Sequence, residues 1–154
     1  MKVIKSPNKY RSTHDKFVLF LAGSIEMNKA EKWQESAEKY FKDEEDIILL
    51  NPRRDDWNSS WDQSKDCPEF VEQVEWELTA LETVDAIILY FDPKTKSPIS
   101  LLELGKFGNK CLVCCPDGYW RKGNVEVFCS RYNIPMYKTL EDVCKAAVSK
   151  SKVM

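Results

Sequence analysis

From Lys16 onward, short and wholly apolar runs alternate with longer stretches in which apolar residues recur at three- and four-residue spacing. The runs fit strands buried on both faces of a parallel sheet, and the spaced stretches fit helices laid against it. Residues 16–22 read as a central strand stopped by Gly23-Ser24. A helix over about 29–42 follows, with Ala30, Trp33, Ala37, Tyr40 and Phe41 on its inner side. Residues 47–50 form the second strand, ended by Asn51-Pro52. The stretch 53–68 is polar, carries Trp57 and Trp61, and reads as a long loop of the kind that often binds ligands. A helix over about 69–83 precedes the strand 85–91 and the turn Asp92-Pro93. The remainder alternates in the same way: a helix over 97–109, a strand over 111–115, a loop at 116–118, a helix over about 124–132, a short strand at 135–137 and a last helix from Leu140.

Five parallel strands with a helix on each crossover predict an α/β fold. Its expected form is a three-layer, flavodoxin-like (Rossmann-like) sheet in the order 2-1-3-4-5 with helices on both faces. Ligands of such sheets bind outside the carboxyl ends of the strands where the chain reverses direction. That puts Gly23, Ser24, Phe91 and Asp92 beside the crevice. Residues 1–15 read as a flexible N-terminal arm and 16–150 as one domain.

The stretch 97–109 opens with a serine able to cap free N–H groups and a proline at the first helical position, and it closes on Gly108-Asn109. Ile99, Leu101, Leu102, Leu104 and Phe107 surround its axis, so the helix is expected to be buried on most sides, with Glu103 inside the apolar collar. In the preceding long helix Glu77 falls on the apolar stripe of Phe70, Val74, Leu81 and Val84. A carboxylate buried without a partner is costly, so the pair reads either as chemistry or, for Glu77, as an acid near a helix end that reaches up to solvent. Two acids meeting in a cleft suit the breaking of a glycosidic bond.

Composition narrows the rest. The chain has 154 residues, 43% hydrophobic and 31% charged, with a net charge of -2. That length suits one domain, and that charge gives no field for a long nucleic acid. No apolar run is long enough to cross a bilayer, and the first residues lack the apolar core of a signal peptide, so the expected location is cytoplasmic. The six cysteines read as reduced structural thiols, and the lone His14 lies in the arm, so no metal site is expected.

These residues also resemble a family. The run Leu19-Phe20-Leu21-Ala22-Gly23-Ser24, Glu77 eight residues before Asp85, and Ser97 six residues before Glu103-Leu104-Gly105 resemble the nucleoside 2-deoxyribosyltransferase superfamily, which includes the deoxynucleoside 5′-monophosphate N-glycosidases. The resemblance implies one such domain over 16–150 and no cofactor. It makes Glu103 the nucleophile that forms a glycosyl-enzyme intermediate. Glu77 stands where the family carries an aspartate that holds a sugar hydroxyl. Ser97 stands where the monophosphate hydrolases carry a serine facing phosphate, although Glu26 follows Gly23-Ser24 where some of them carry arginine. The implied partner is a nucleoside or nucleotide, with a homodimer or higher homo-oligomer in which a neighbouring subunit completes the pocket.

Around this core, Asn51, Arg53, Asp55 and Trp57 leave the second strand toward the crevice, where Trp57 could stack on a base and Asn51 or Asp55 read its edge. Asn124 is expected to cap a helix, behind a Tyr119-Trp120 pair that forms either a lid or a subunit contact. The alternative to an enzyme is a non-catalytic nucleotide sensor on the same fold. A receiver lacks its acid cluster after Gly23-Ser24, and a flavin protein lacks its hydroxyl-rich loop.

Overall fold

In the computed structural model, residues 1–10, 15–24 and 32–153 are described. His14, Glu26 and the opening turn of the helix expected over 29–42, with Ala30, lie outside them.

The strands β1 (Lys2–Lys5), β2 (Phe17–Gly23), β3 (Ile47–Asn51), β4 (Ala86–Tyr90), β5 (Cys111–Cys114) and β6 (Met136–Tyr137) form one sheet. Its order is β1-β3-β2-β4-β5-β6, and every pairing is parallel. The expectation of five strands in the order 2-1-3-4-5 is therefore corrected. The additional strand comes from the segment read as a flexible arm: Lys2 pairs with Ile48 and Lys5 with Asn51. Lysines at both ends of this half-exposed strand suit a sheet edge, where charge discourages pairing with another chain.

Strand residues alternate between two cores, as the two-residue period of a strand requires. Val18, Phe20, Leu50, Ile87, Leu89 and Val113 face α2 (Pro68–Thr83), α3 (Pro98–Phe107) and α4 (Lys122–Arg131). Leu19, Leu21, Leu49, Ile88 and Leu112 face α1 (Trp33–Phe41) and α5 (Leu140–Lys152). Tyr40, expected on the inner side of α1, is 43% exposed.

The helix α3 is less enclosed than its composition suggests. Only Ser100, Leu104 and Phe107 are buried along it, a stripe at four- and three-residue spacing. Ile99 is 62% and Leu102 70% exposed. After Phe107 the chain tightens into a 3-10 turn, Gly108–Lys110, and enters β5. Lys110 then donates from Nζ to the carbonyls of Leu81 at 3.0 Å and Glu82 at 2.7 Å. A cation on the last carbonyls of α2 satisfies groups the helix leaves open, and it locks α2 against the segment after α3.

All six cysteines are free thiols. Burial pushes Cys111, Cys114 and Cys144 up to about 12 and Cys115 and Cys129 up to about 11, which leaves them un-ionised and inert. Among the described residues no helix is long and apolar enough to cross a membrane, and no group of three His, Cys, Asp or Glu residues could hold a metal ion.

Candidate functional site

Two helices on one face of the sheet carry the unusual acids. In α2 the inward stripe is Gln73, Ala80, Leu81 and then Val84, and Glu77 occupies the turn between Gln73 and Leu81. Glu77 and Glu103 are both partly buried. Burial pushes the Glu77 carboxyl up to about 7, opposed by a hydrogen bond from Gln73. Burial also raises Glu103, to about 8, and the charge of Glu77 adds to the rise. The two carboxyls thus lie within electrostatic reach. The carboxyl that ionises second does so beside a charge.

Gln73 was not foreseen from the sequence, and it ties three segments to this pair. Its Oε1 accepts from the Ser6 hydroxyl, and its Nε2 donates to the Pro52 carbonyl at 2.8 Å. The same amide supports Glu77 four residues on. Such a residue is visible beforehand only as a polar group at i−4 from an inward acid. Gln73→Leu leaves a buried carbonyl and hydroxyl unpaired, and is expected to cost about 2 kcal/mol in urea unfolding. It also removes a hydrogen bond that favours the charged carboxylate, so the Glu77 resonance should titrate at higher pH in an NMR titration of the side-chain carboxyls.

At the carboxyl ends of β2 and β4, a second group of candidates meets. Gly23 lies at φ +139, and a Cβ on it would fall 2.4 Å from the Tyr90 carbonyl oxygen, 2.8 Å from the Tyr90 nitrogen and 3.0 Å from Trp33 Cζ2. The structure shows that the glycine's lack of a side chain serves the contact with β4 and Trp33. Ser24 follows, fully buried: its N–H donates to the Tyr90 carbonyl at 3.0 Å, and its carbonyl accepts from Trp33 Nε1 at 3.0 Å.

The Ser24 hydroxyl accepts from the Asp92 N–H at 2.9 Å and touches Ser97 Oγ. Thr95, also unforeseen, joins them, its hydroxyl 2.9 Å from Ser24 Oγ and 2.7 Å from Ser97 Oγ. Three buried hydroxyls therefore converge beneath the start of α3. Ser97 does not cap that helix through its side chain. It adopts a left-handed conformation, φ 49, and turns its hydroxyl back to the cluster. Strain of this kind in a residue other than glycine collects at functional positions. Asp92 is buried and accepts the Lys94 N–H at 2.8 Å, which bends the chain toward Ser97. Phe91 is core, its ring tilted against that of Tyr119 with centroids 4.8 Å apart. The Tyr119 hydroxyl and Trp120 Nε1 both donate to the Lys96 carbonyl, so the aromatic pair holds the strap that leads into α3.

The third group lies past β3. Asn51 is buried, donating from Nδ2 to Glu38 Oε1 at 2.8 Å and accepting the Arg53 N–H at 2.9 Å. Arg53 donates from Nε to Gln34 Oε1 at 2.8 Å, and burial pulls the guanidinium below its ordinary value. Glu38 and Gln34 are one turn apart on α1 and were not singled out in the sequence.

The remaining candidates stand apart from these groups. Asp55 is exposed and pairs with Lys5 at 3.5 Å. Trp57 packs edge to face on Trp61 at 5.0 Å, in a loop that Arg54 ties to Asp56 and Glu72, both at 2.7 Å. Asn124 is not a cap: α4 begins two residues earlier, behind Arg121, and Asn124 lies exposed in a shallow hollow with Val127, Phe128 and Tyr132.

A family model described as nucleoside 2-deoxyribosyltransferase like matches residues 16–119, a span that holds Ser24, Glu77, Ser97 and Glu103 and stops short of Asn124. No curated protein matches the chain. Among solved structures, the crystal structure of a conserved protein from Enterococcus faecalis V583 is similar. It has a TM-score of 0.61 and 12% identity, over 84% of this chain and 96% of that one. At that identity the likeness speaks for the fold.

Proposed function

The chain belongs to the nucleoside 2-deoxyribosyltransferase-like family, and from that premise we propose that it cleaves the N-glycosidic bond of a (deoxy)nucleoside or nucleoside 5′-monophosphate. The observation that carries the proposal is the approach of Glu77 and Glu103, from separate helices, to within each other's electrostatic reach. Ionised Glu103 attacks the anomeric carbon through an oxocarbenium-like state. The electrons of the broken C–N bond leave with the base, which takes up a proton, and a covalent glycosyl-enzyme intermediate remains. Water or a second base then attacks the same carbon and frees the carboxylate. Glu77 holds a sugar hydroxyl and orients the nucleophile. Its side chain, one methylene longer than the family aspartate, is held by a hydrogen bond with Gln73 one turn earlier.

The hydroxyl cluster of Ser24, Thr95 and Ser97 supports a 5′ subsite at the start of α3. A helix N-terminus there favours the oxygens of a hydroxyl or a phosphate. The exposed Ile99 and Leu102, with Leu78 at 40% exposure on α2, support the self-association that the family resemblance implies. No cofactor enters these steps, and a cytoplasmic location is the address we assign.

Incubating the protein with a panel of nucleosides and their monophosphates, and reading free base by chromatography, tests the proposal. Base is expected to appear in proportion to enzyme, and addition of a second base should yield a new nucleoside if transfer competes with hydrolysis. Tight binding without release of base is the behaviour of a nucleotide sensor and overturns the proposal.

A further inference from the structure

Residues 6–10, which follow β1, run along α2 and meet it at three places. The Ser6 hydroxyl donates to Gln73 Oε1, the Asn8 carbonyl accepts from Trp76 Nε1 at 2.8 Å, and the Tyr10 and Thr83 hydroxyls bond to each other. The edge strand delivers the segment there. The Ser6 N–H donates to the Asn51 carbonyl at 3.1 Å, and the Asn8 N–H turns back to the Lys5 carbonyl at 2.9 Å. Of the three contacts with α2, only the first is buried at both ends, with Ser6 at 3% and Gln73 at 9% exposure. The segment also lies outside the span 16–119 that the family model matches.

A glutamine amide offers an acceptor oxygen and two N–H donors, and in Gln73 all of them are engaged. Its Oε1 takes the Ser6 hydroxyl, while Nε2 serves the Pro52 carbonyl at 2.8 Å and the Glu77 carboxyl. Pro52 and an ionised Glu77 can only accept, so turning the amide over would set oxygen against oxygen. The Ser6 proton holds the oxygen end of that arrangement. Without it a buried carbonyl oxygen is left open, and the amide is drawn to rotate away from Glu77. Resting on the reading that Glu77 and Glu103 are the reacting pair, we infer that Ser6 is a positioning residue: acting through the Gln73 amide, it fixes the Glu77 carboxylate that orients the nucleophile. The charged groups nearby do not take over this task. Glu103 of α3 acts on Glu77 only as a like charge. Lys110, after α3, is held by the Leu81 and Glu82 carbonyls, and Arg54, after β3, by Asp56 and Glu72. The strand β2 presents the apolar Val18 and Phe20 to this side.

An NMR titration of protein labelled at the glutamate carboxyls tests this without any turnover, with the Glu77 signal identified by its loss in Glu77→Gln. Ser6→Ala keeps the backbone bond to Asn51 and is expected to move the Glu77 midpoint to higher pH by about half a unit, roughly a threefold change in acid dissociation constant. Tyr10→Phe removes an outer contact of the same segment and should leave the midpoint where it is. In base release, kcat should fall at least about threefold in Ser6→Ala and hold its wild-type value in Tyr10→Phe. A merely structural role would lower the melting temperature in both variants and move the Glu77 midpoint in neither. In the wild-type protein, one Gln73 side-chain amide proton should shift with the same midpoint as Glu77, a reading that needs no substitution. A midpoint that moves in Ser6→Ala alone, with no base released from any nucleoside, upholds the hold of Ser6 on Glu77 and refutes the glycosidic chemistry. An unmoved midpoint in Ser6→Ala, an equal movement in Tyr10→Phe, or a Gln73 amide that does not follow Glu77 overturns the inference while base release stands.

Discussion

Glu103→Gln is expected to fold normally and to lose base release by roughly a thousandfold or more, about 4 kcal/mol of transition-state stabilisation. The substitution keeps the volume and one carbonyl oxygen but cannot form the ester bond to the sugar, so the covalent route closes. The fold should tolerate it because Glu103 is partly buried with its carboxyl raised to about 8, and a neutral amide suits that environment better than a carboxylate. Unchanged turnover in a folded Glu103→Gln protein would mean that another group attacks the sugar.

The same environment sets a pH dependence for both activity and stability. The proposed nucleophile works only when ionised, and in the free protein Glu103 sits at about 8 and Glu77 at about 7. On that basis kcat/KM should fall by about a hundredfold between pH 9 and pH 6. Because the Glu77 charge is one cause of the raised Glu103 value, Glu77→Gln should move the limb to lower pH while slowing the reaction. A flat profile from pH 6 to 9 contradicts this assignment.

Stability runs the other way. Both carboxyls are raised from the ordinary 4.5, so the folded state holds protons that the unfolded chain releases between pH 4.5 and about 8. Their contribution is fully present below 4.5 and is lost as pH rises through that window. Glu103→Gln should therefore melt above wild type at pH 8.5, by an increment of about 2 kcal/mol or less, and match it near pH 4.5. A gain in stability from removing the proposed reacting group is the usual trade between activity and stability.

Much of this arrangement is visible in the order of residues along the chain, for identifiable reasons. The strands β2 and β4 are uninterrupted apolar runs because helices cover them on both sides, and the ends of such runs mark the crevice. Glu77 and Glu103 stand out because an acid among leucines and valines has no routine explanation. The β1 strand is hidden because it is short, half-exposed and carries lysines at both ends; only its pairing with Ile48 to Asn51 makes it a strand. The helix α3 misleads in the opposite sense, since apolar composition suggests burial while Ile99 and Leu102 face outward. Gln34, Gln73 and Thr95 carry no signal of their own. Each is an ordinary polar residue whose meaning comes from partners up to 71 residues away, as with Ser24 and Thr95.

Intact-mass analysis of the protein mixed with a nucleoside bearing fluorine at C2 of the sugar would capture the proposed intermediate. The substituent destabilises the oxocarbenium-like state and slows breakdown of the ester. A mass increase equal to one fluorosugar, mapped by peptide fragmentation to Glu103 and absent in Glu103→Gln, is the expected result. A protein that releases base yet never carries the sugar, or carries it on a different residue, would contradict the role given to Glu103.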